Sequence, residues 1–107
     1  MKTSTHLRKA RALVNKGWCK GYFRANINGK ECYCLFGALE KISDDDYSLS
    51  DCIRILSPIA RHYHGKEFNL SPVRFNDHFK TTKKDVLAVF DLAIKKAVED
   101  ERLASGK

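Results

Sequence analysis

The stretch Tyr22–Leu35, YFRANINGKECYCL, predicts a β-hairpin in an otherwise helical chain. Asn28-Gly29 at its centre favours a two-residue type I′ turn between antiparallel strands. Such a turn fixes the register and, because side chains alternate, gives the ribbon one apolar and one polar side. The apolar side should carry Phe23, Ala25, Ile27, Cys32 and Cys34, and the polar side Arg24, Asn26, Glu31 and Tyr33.

Helix signals lie on both sides of this hairpin. The first helix should be capped by Thr3, Ser4 or Thr5. It should end at Gly17, with that glycine in a left-handed conformation. A short helix is predicted from about Leu35 to Ile42, directly after the second strand.

Two longer helices are predicted in the second half of the chain. Residues 48–51, SLSD, resemble a capping box that opens one of them. Pro58 inside its apolar run predicts a kink or a restart of the helix. One helical turn should follow Pro72. Thr82, answered by Asp85 three residues later, should cap the last helix.

The length of 107 residues suits one domain. We predict an α+β fold, mainly helical, with four or so helices packed on the apolar side of a two-stranded antiparallel hairpin. The domain should span residues 1–107, with an ordered core over about residues 4–100 and a frayed tail over residues 101–107. No apolar run approaches the roughly 18 residues of a membrane span, and no secretory signal is visible. We therefore expect a cytoplasmic protein, in a host cytosol, with reduced thiols.

The four cysteines allow two chemical hypotheses. Cys19, Cys32, Cys34 and Cys52, with His62 and His64, include enough ligands for a zinc site. However, the C-x-C pair would lie on one strand face about 7 Å apart, wide for one ion. We expect buried free thiols, no metal and no cofactor.

A thiol nucleophile is the second hypothesis. Cys34 lies where a strand passes into a helix, and a helix N-terminus lowers the pKa of a thiol. The weak candidates for its partners are His62, His64 and His78 as bases and Asn76 or Asp77 as the orienting group. The simpler interpretation packs Cys34 under the apolar ribbon and lets Asn76 and Asp77 bond backbone amides in the turn before the last helix.

Basic residues give the strongest functional indication. The net charge is +7, and residues 1–30 carry eight bases and no acid. The residues that could form a basic binding surface are Arg8, Lys9, Arg11, Lys16, Lys20, Arg24, Lys83 and Lys84. Such a surface could follow phosphates, but a basic helix face is also an ordinary solvated face.

Three segments in order resemble a known family: GWCKGYF at residues 17–23, YCLFGAL at 33–39, and FNDHFKTTKKDVLAVFDLAI at 75–94. They are similar to a small domain family of unknown function found in phage, prophage and actinobacterial genomes. Phe75 stands where that family usually has Trp. The resemblance implies fold and origin, and it implies no activity.

We expect a small non-enzymatic, phage-like binding module that contacts a host or phage protein, as an anti-defence or host-takeover factor would. Separated charge would give such a module fast, specific docking. The first alternative is a nucleic-acid-binding protein that uses the basic N-terminal helix. The second is a cysteine-dependent hydrolase or transferase centred on Cys34. The sequence predicts no membrane partner and leaves the oligomeric state open.

Overall fold

Five helices and one hairpin make up the fold in a computed structural model that describes residues 1–106. In chain order the elements are α1 (Thr3–Lys16), β1 (Arg24–Ile27), β2 (Lys30–Tyr33), α2 (Leu35–Ile42), α3 (Asp46–Arg61), α4 (Pro72–Asp77) and α5 (Lys83–Ser105). The chain is 63% helical, and the predicted class, α+β and mainly helical, is confirmed.

The hairpin has the predicted turn and register. Asn28 and Gly29 have φ values of 52° and 81°, as a type I′ turn requires. Ala25 pairs with Cys32 and Ile27 pairs with Lys30, so this part of the sequence prediction is confirmed.

The burial of the hairpin agrees only in part with the prediction, because Cys32 and Cys34 are buried as predicted but Tyr33 on the opposite side is buried as well. Tyr33, expected on the polar side, is buried in the core, whereas Phe23 and Ile27 are 52% and 55% exposed. The reason is that β2 lies between β1 and the bridge to Trp18, whereas the outer edge of β1 has no strand paired with it. Residues of β2 are covered by α1 and α2, while β1 has only β2 beside it.

Gly17 ends α1 with extended backbone, φ −167°, so the predicted left-handed conformation is wrong. A side chain at this position would overlap the carbonyl oxygen of Glu31 in β2. Gly17 O accepts a hydrogen bond from Tyr33 N at 2.9 Å, and Cys19 N donates to Tyr33 O at 3.3 Å. Trp18 thus forms a parallel bridge to Tyr33, and the glycine permits this close approach.

The N-terminus of α1 is capped from a distance. Lys2 is the N-cap residue and its side chain makes no capping bond, so capping by the side chain of Thr3, Ser4 or Thr5 is not observed. Instead the carboxylate of Glu101, near the end of α5, accepts hydrogen bonds from Ser4 N at 3.0 Å and Ser4 Oγ at 2.6 Å. These bonds show that α1 and α5 run antiparallel.

The predicted bounds agree with the structure for α2 but not for α3. The predicted bounds of α2 are confirmed. Helix α3 begins earlier than predicted because Asp45, not Ser48, is its N-cap and accepts a hydrogen bond from Ser48 N at 2.7 Å. Pro58 lies inside the continuous helix, so the predicted restart is wrong. Pro58 is exposed, and the carbonyl that loses its donor can therefore reach water.

Helix α5 begins as predicted and ends later. The Thr82–Asp85 capping box is present in both directions. The helix continues past Asp100 to Ser105, where the sequence predicted fraying, because Glu101 is bonded to Ser4. Lys107, the last residue of the predicted tail, lies outside the described residues.

The core lies between α1, α2, α3 and α5. Its largest fully buried side chains include Phe75, Phe90 and Leu35, and Trp18 packs against it from the side. Within residues 1–106, none of the helices combines the length and the hydropathy needed to cross a membrane.

Candidate functional site

The three segments that carry the family resemblance meet at Asn76. This residue ends α4 and is fully buried. Its Oδ1 accepts hydrogen bonds from Trp18 Nε1 at 2.7 Å and from Leu35 N at 3.1 Å. Its Nδ2 donates to Cys19 O at 3.0 Å and to Asp77 Oδ1 at 3.1 Å. One carboxamide therefore joins the loop after α1, the start of α2 and the end of α4.

Asp77 extends this junction to the surface. Its Oδ1 accepts a hydrogen bond from Gly21 N at 2.9 Å, and Gly21 has φ +83°. We expected Asn76 and Asp77 to bond amides in the turn before α5. That expectation was wrong in its partners, since both side chains bond segments far away in the sequence. The short helix α4 begins at the Ser71 cap, and its last two residues contact residues 18–21.

Two exposed aromatic side chains lie where Asp77 holds the loop. Tyr22 is 66% exposed and Phe23 is half exposed, with the Phe23 ring 5.4 Å from that of Phe36. We call Tyr22, Phe23 and Arg24 the aromatic ledge. The backbone of the ledge is fixed at both ends, because Gly21 N is bonded to Asp77 and Phe23 O accepts from Cys34 N at 3.0 Å.

A cleft flanks the ledge on each side. The smaller, of about 300 Å³, is lined by Gly21, Tyr22, Phe23, Cys34, Val73 and Asp77. The larger, of about 620 Å³, is lined by Tyr22, Phe23, Arg24, Gly37, Glu40 and Lys41. The larger cleft has charged groups of both signs at its rim, so the ledge combines apolar contact area with polar groups.

Cys34 reaches the smaller cleft but is not poised as a nucleophile. It caps α2, and its Sγ accepts a hydrogen bond from Gly37 N at 3.2 Å. Burial raises the pKa of the Cys34 thiol more than the amides of Gly37 and Phe36 lower it, and the Asp77 charge raises it further. The predicted lowering of this pKa by the helix N-terminus is therefore outweighed by desolvation.

The candidate bases are held elsewhere. None of the described histidines lines the cleft that contains Cys34 and Asp77. His62 Nδ1 contacts Phe68 O, His64 Nε2 lies 2.7 Å from Thr81 Oγ1, and His64 stacks on His78 at 5.3 Å. Backbone amide Lys80 N donates to His78 Nδ1. The structure thus brings Cys34 and Asp77 to one cleft, which neither His62 nor His78 lines.

The other thiols are also buried. Burial, and then the neighbouring Cys32 thiol, raise the pKa of Cys19 to about 12. Burial raises that of Cys52 to about 12 as well. All four cysteines are free. Residues 1–106 contain no group of three or more His, Cys, Asp or Glu side chains arranged to hold a metal ion.

The predicted basic surface divides into residues with partners and residues without them. Arg11 Nε lies 2.7 Å from Asp91 Oδ1. Lys20 Nζ donates to His78 O at 2.7 Å, beside the Trp18 ring. Lys83 Nζ donates to Asn15 O at 2.6 Å, at the C-terminal end of α1. That end is the negative end of the helix dipole, which explains a cation in the first turn of α5.

Five predicted basic residues form neither an ion pair nor a side-chain hydrogen bond within the part of the chain that the structure describes: Arg8, Lys9, Lys16, Arg24 and Lys84. All five are exposed. Lys83 brings the start of α5 to the end of α1, and so places Lys84 on the same end of the molecule as Lys16. Arg24 is apart from this group, on the aromatic ledge.

Comparison with known proteins places the chain in a family. A family model, described as a family of unknown function (DUF6197), matches residues 1–96. The chain belongs to DUF6197. No curated protein and no solved structure matched it significantly.

The DUF6197 match covers every residue of the Asn76 junction and of the aromatic ledge. The sequence predicted neither feature fully. The Asn76-Asp77 pair indicated that these side chains form hydrogen bonds, but their distant partners are set by tertiary packing. Exposure of Phe23 had no signal, since regular alternation placed it on the packed side of the hairpin.

Proposed function

We propose that this DUF6197 chain is a non-enzymatic binding module that contacts an extended segment of another protein through the aromatic ledge. The observation that carries the proposal is that Tyr22 and Phe23 are exposed on a backbone held by Asp77 and Cys34. Exposed aromatic side chains on a fixed backbone offer large contact area with little loss of conformational entropy, as binding hot spots do.

The outer edge of β1 supports an extended partner. Phe23 and Cys34 form a hydrogen-bonded pair, because Cys34 N donates to Phe23 O. In an antiparallel ladder such pairs alternate with pairs whose backbone groups point away. The N–H and C=O groups of Arg24 and Asn26 therefore face outward from the two-stranded sheet. A partner strand could pair with them while its side chains enter the two clefts.

The proposal also covers the origin of this chain and the protein that it binds. Small size and the three-segment resemblance support a phage-like protein that contacts a host or phage protein in a host cytosol. An anti-defence or host-takeover role is the most specific form of this proposal. The separation of basic and acidic segments supplies a means of oriented docking.

A displayed random-peptide library tests the ledge directly. Linear peptides selected on the wild-type chain should bind F23A at least about tenfold more weakly, since hot-spot truncations commonly cost over 1 kcal/mol. The matched control is F79A, because Phe79 is 82% exposed and lines neither cleft, and it should bind as the wild type does. Equal binding by F23A and wild type, with both folded, would contradict the proposal.

Hydrogen exchange of backbone amides in the peptide complex provides a second test. A bound strand should protect the N–H groups of Arg24 and Asn26, which face away from β2. Slower exchange at these two amides, with no change in the turn at Gly29, supports strand pairing. Unchanged exchange in the saturated complex would exclude it.

A second candidate, nucleic-acid binding, is favoured by one observation. The contact from Lys83 to Asn15 brings the start of α5, with Lys84, to the end of α1, which carries Lys16. Helix α1 also carries Arg8 and Lys9. The double variant R8E/K16E should abolish binding to an oligonucleotide at about 50 mM salt, where phosphate contacts are strongest. The control K41E/K66E changes the same charge elsewhere. No binding by the wild type would remove this candidate.

A further inference from the structure

An exposed stripe runs along the C-terminal half of α5, on a different surface from the aromatic ledge. Leu92, Lys96, Glu99 and Leu103 follow at spacings of four, three and four residues, so they share one side of the helix. All are exposed, and the two leucines are 50% and 58% exposed. The stripe is about 16 Å long at the helical rise.

An apolar groove lies beside this stripe, between α3 and α5. Ile55, Pro58 and Ile59 line it opposite Leu92, in a volume of about 590 Å³. A second depression of about 460 Å³ continues from Ile55 to Leu103. The two depressions share Arg54, Ile55 and Asp100, and therefore form one groove along α5.

The stripe is its own antiparallel complement. Leu92 and Leu103 are equidistant from the midpoint between Ala97 and Val98, and so are Lys96 and Glu99. Two copies of α5 placed antiparallel about that midpoint put each leucine against the other leucine and each lysine against a glutamate. A two-fold interface has this property, because residue i meets j and j meets i.

We propose that a second copy of this chain occupies the groove, with the two α5 helices antiparallel across a two-fold axis. The apolar contact is Leu92 with the other copy's Leu103, flanked by Ile59 and Pro58. The polar contact, Lys96 with the other copy's Glu99, occurs twice. This proposal goes beyond the peptide-binding function, since it uses α3 and α5 and none of the ledge residues.

Contacts within the helix do not oppose this pairing. Lys96 Nζ lies 3.0 Å from Asp100 Oδ1, and Arg102 contacts Glu99 at 2.6 Å. Both pairs are solvent-exposed, and exposed ion pairs contribute little to stability. Lys96 and Glu99 can therefore exchange these partners for one another across the axis at little cost.

A charge swap tests the proposal by sedimentation velocity of the full chain, at concentrations up to about 0.5 mM. The wild type should form a dimer. K96E should weaken the dimer by about tenfold or more, because it sets two glutamates face to face on both sides of the axis. The double variant K96E/E99K should restore the dimer to within about threefold, since the complementarity returns with reversed sign.

K66E is the matched control, because Lys66 is an exposed lysine in the loop after α3 and lines neither depression. It should dimerise as the wild type does, and circular dichroism should give equal helix content for all variants. Three results would each overturn the proposal: a wild type that stays monomeric, a double variant no tighter than K96E, or K66E as weak as K96E. A monomeric wild type that binds a helix of another protein in this groove would also overturn it.

Discussion

At the scale of single residues, Asn76 holds together the loop after α1, the start of α2 and the end of α4. A carboxamide suits this position because it can donate and accept hydrogen bonds at the same time. Three of its four hydrogen bonds join distant segments, and the fourth goes to the neighbouring Asp77. Trp18 N–H and Leu35 N–H would otherwise be left without a partner near the core. The aromatic ledge depends on this junction through Asp77.

Replacing Asn76 with Ala should lower the free energy of unfolding by about 2–4 kcal/mol, because several buried polar groups lose their partners together. Urea unfolding measures the change. Asn69 is exposed and makes no side-chain hydrogen bond in residues 1–106, so N69A should stay within about 0.5 kcal/mol of the wild type. A similar loss in both variants would argue against the junction.

Cys34 illustrates how burial outweighs a favourable backbone position. The helix N-terminus provides amides for the thiolate, yet desolvation leaves the pKa raised. Near neutral pH, iodoacetamide should therefore label Cys34 slowly in the native protein and rapidly in urea at higher pH. Mass spectrometry of the labelled peptides measures this. Rapid, stoichiometric labelling of native Cys34 near pH 6 would restore the cysteine-enzyme hypothesis.

At the scale of elements, the hairpin and α2 are joined by a close backbone approach. The carbonyl of Phe23 lies against Gly37 in the first turn of α2, and a Cβ at Gly37 would overlap it. The same contact places Phe23 between the two clefts. Glycine is therefore needed in a helix where intrinsic propensity favours alanine by about 1 kcal/mol.

G37A should destabilise the protein by at least about 3 kcal/mol, against the helix propensity, because backbone atoms must move. Thermal unfolding followed by circular dichroism tests this. Ser50 is exposed within α3, and S50A should change the midpoint little. If G37A were as stable as the wild type, the close approach of Phe23 to α2 would be wrong.

At the scale of the whole molecule, Glu101 connects the two ends of the chain. Burial raises its pKa, but the two hydrogen bonds from Ser4, and the charges of Lys2 and Arg8, outweigh burial, and the pKa is lowered. A carboxyl whose pKa is lowered by folding stabilises the protein above its unfolded pKa. That contribution is lost as the pH falls through the folded pKa.

The wild type should accordingly lose more stability than E101Q when the pH falls from about 6 to about 3. The difference should be under about 1 kcal/mol, because the carboxyl is partly exposed. Urea unfolding at each pH measures both proteins, and E67Q, an exposed loop carboxylate, should follow the wild type. Parallel curves for the wild type and E101Q would show that the Ser4 contact does not stabilise the fold.

Features that depend on neighbours along the chain follow from the amino-acid sequence alone. The Asn28-Gly29 turn, its register, the bounds of α2 and the Thr82–Asp85 capping box all arise from residues within a few positions of each other. Local backbone preferences and side-chain periodicity are sufficient to fix such features.

Features that depend on contacts between distant segments come from tertiary packing. It buried Tyr33 and exposed Phe23, gave Asn76 its distant partners, and extended α5 to reach Ser4. The physical reason is that alternation assigns a side chain to a face of a strand but does not say which strand is covered, and the end of β2 is covered on both faces. Covering is set by the packing of α1 and α2 on β2, and with it the place of the aromatic ledge.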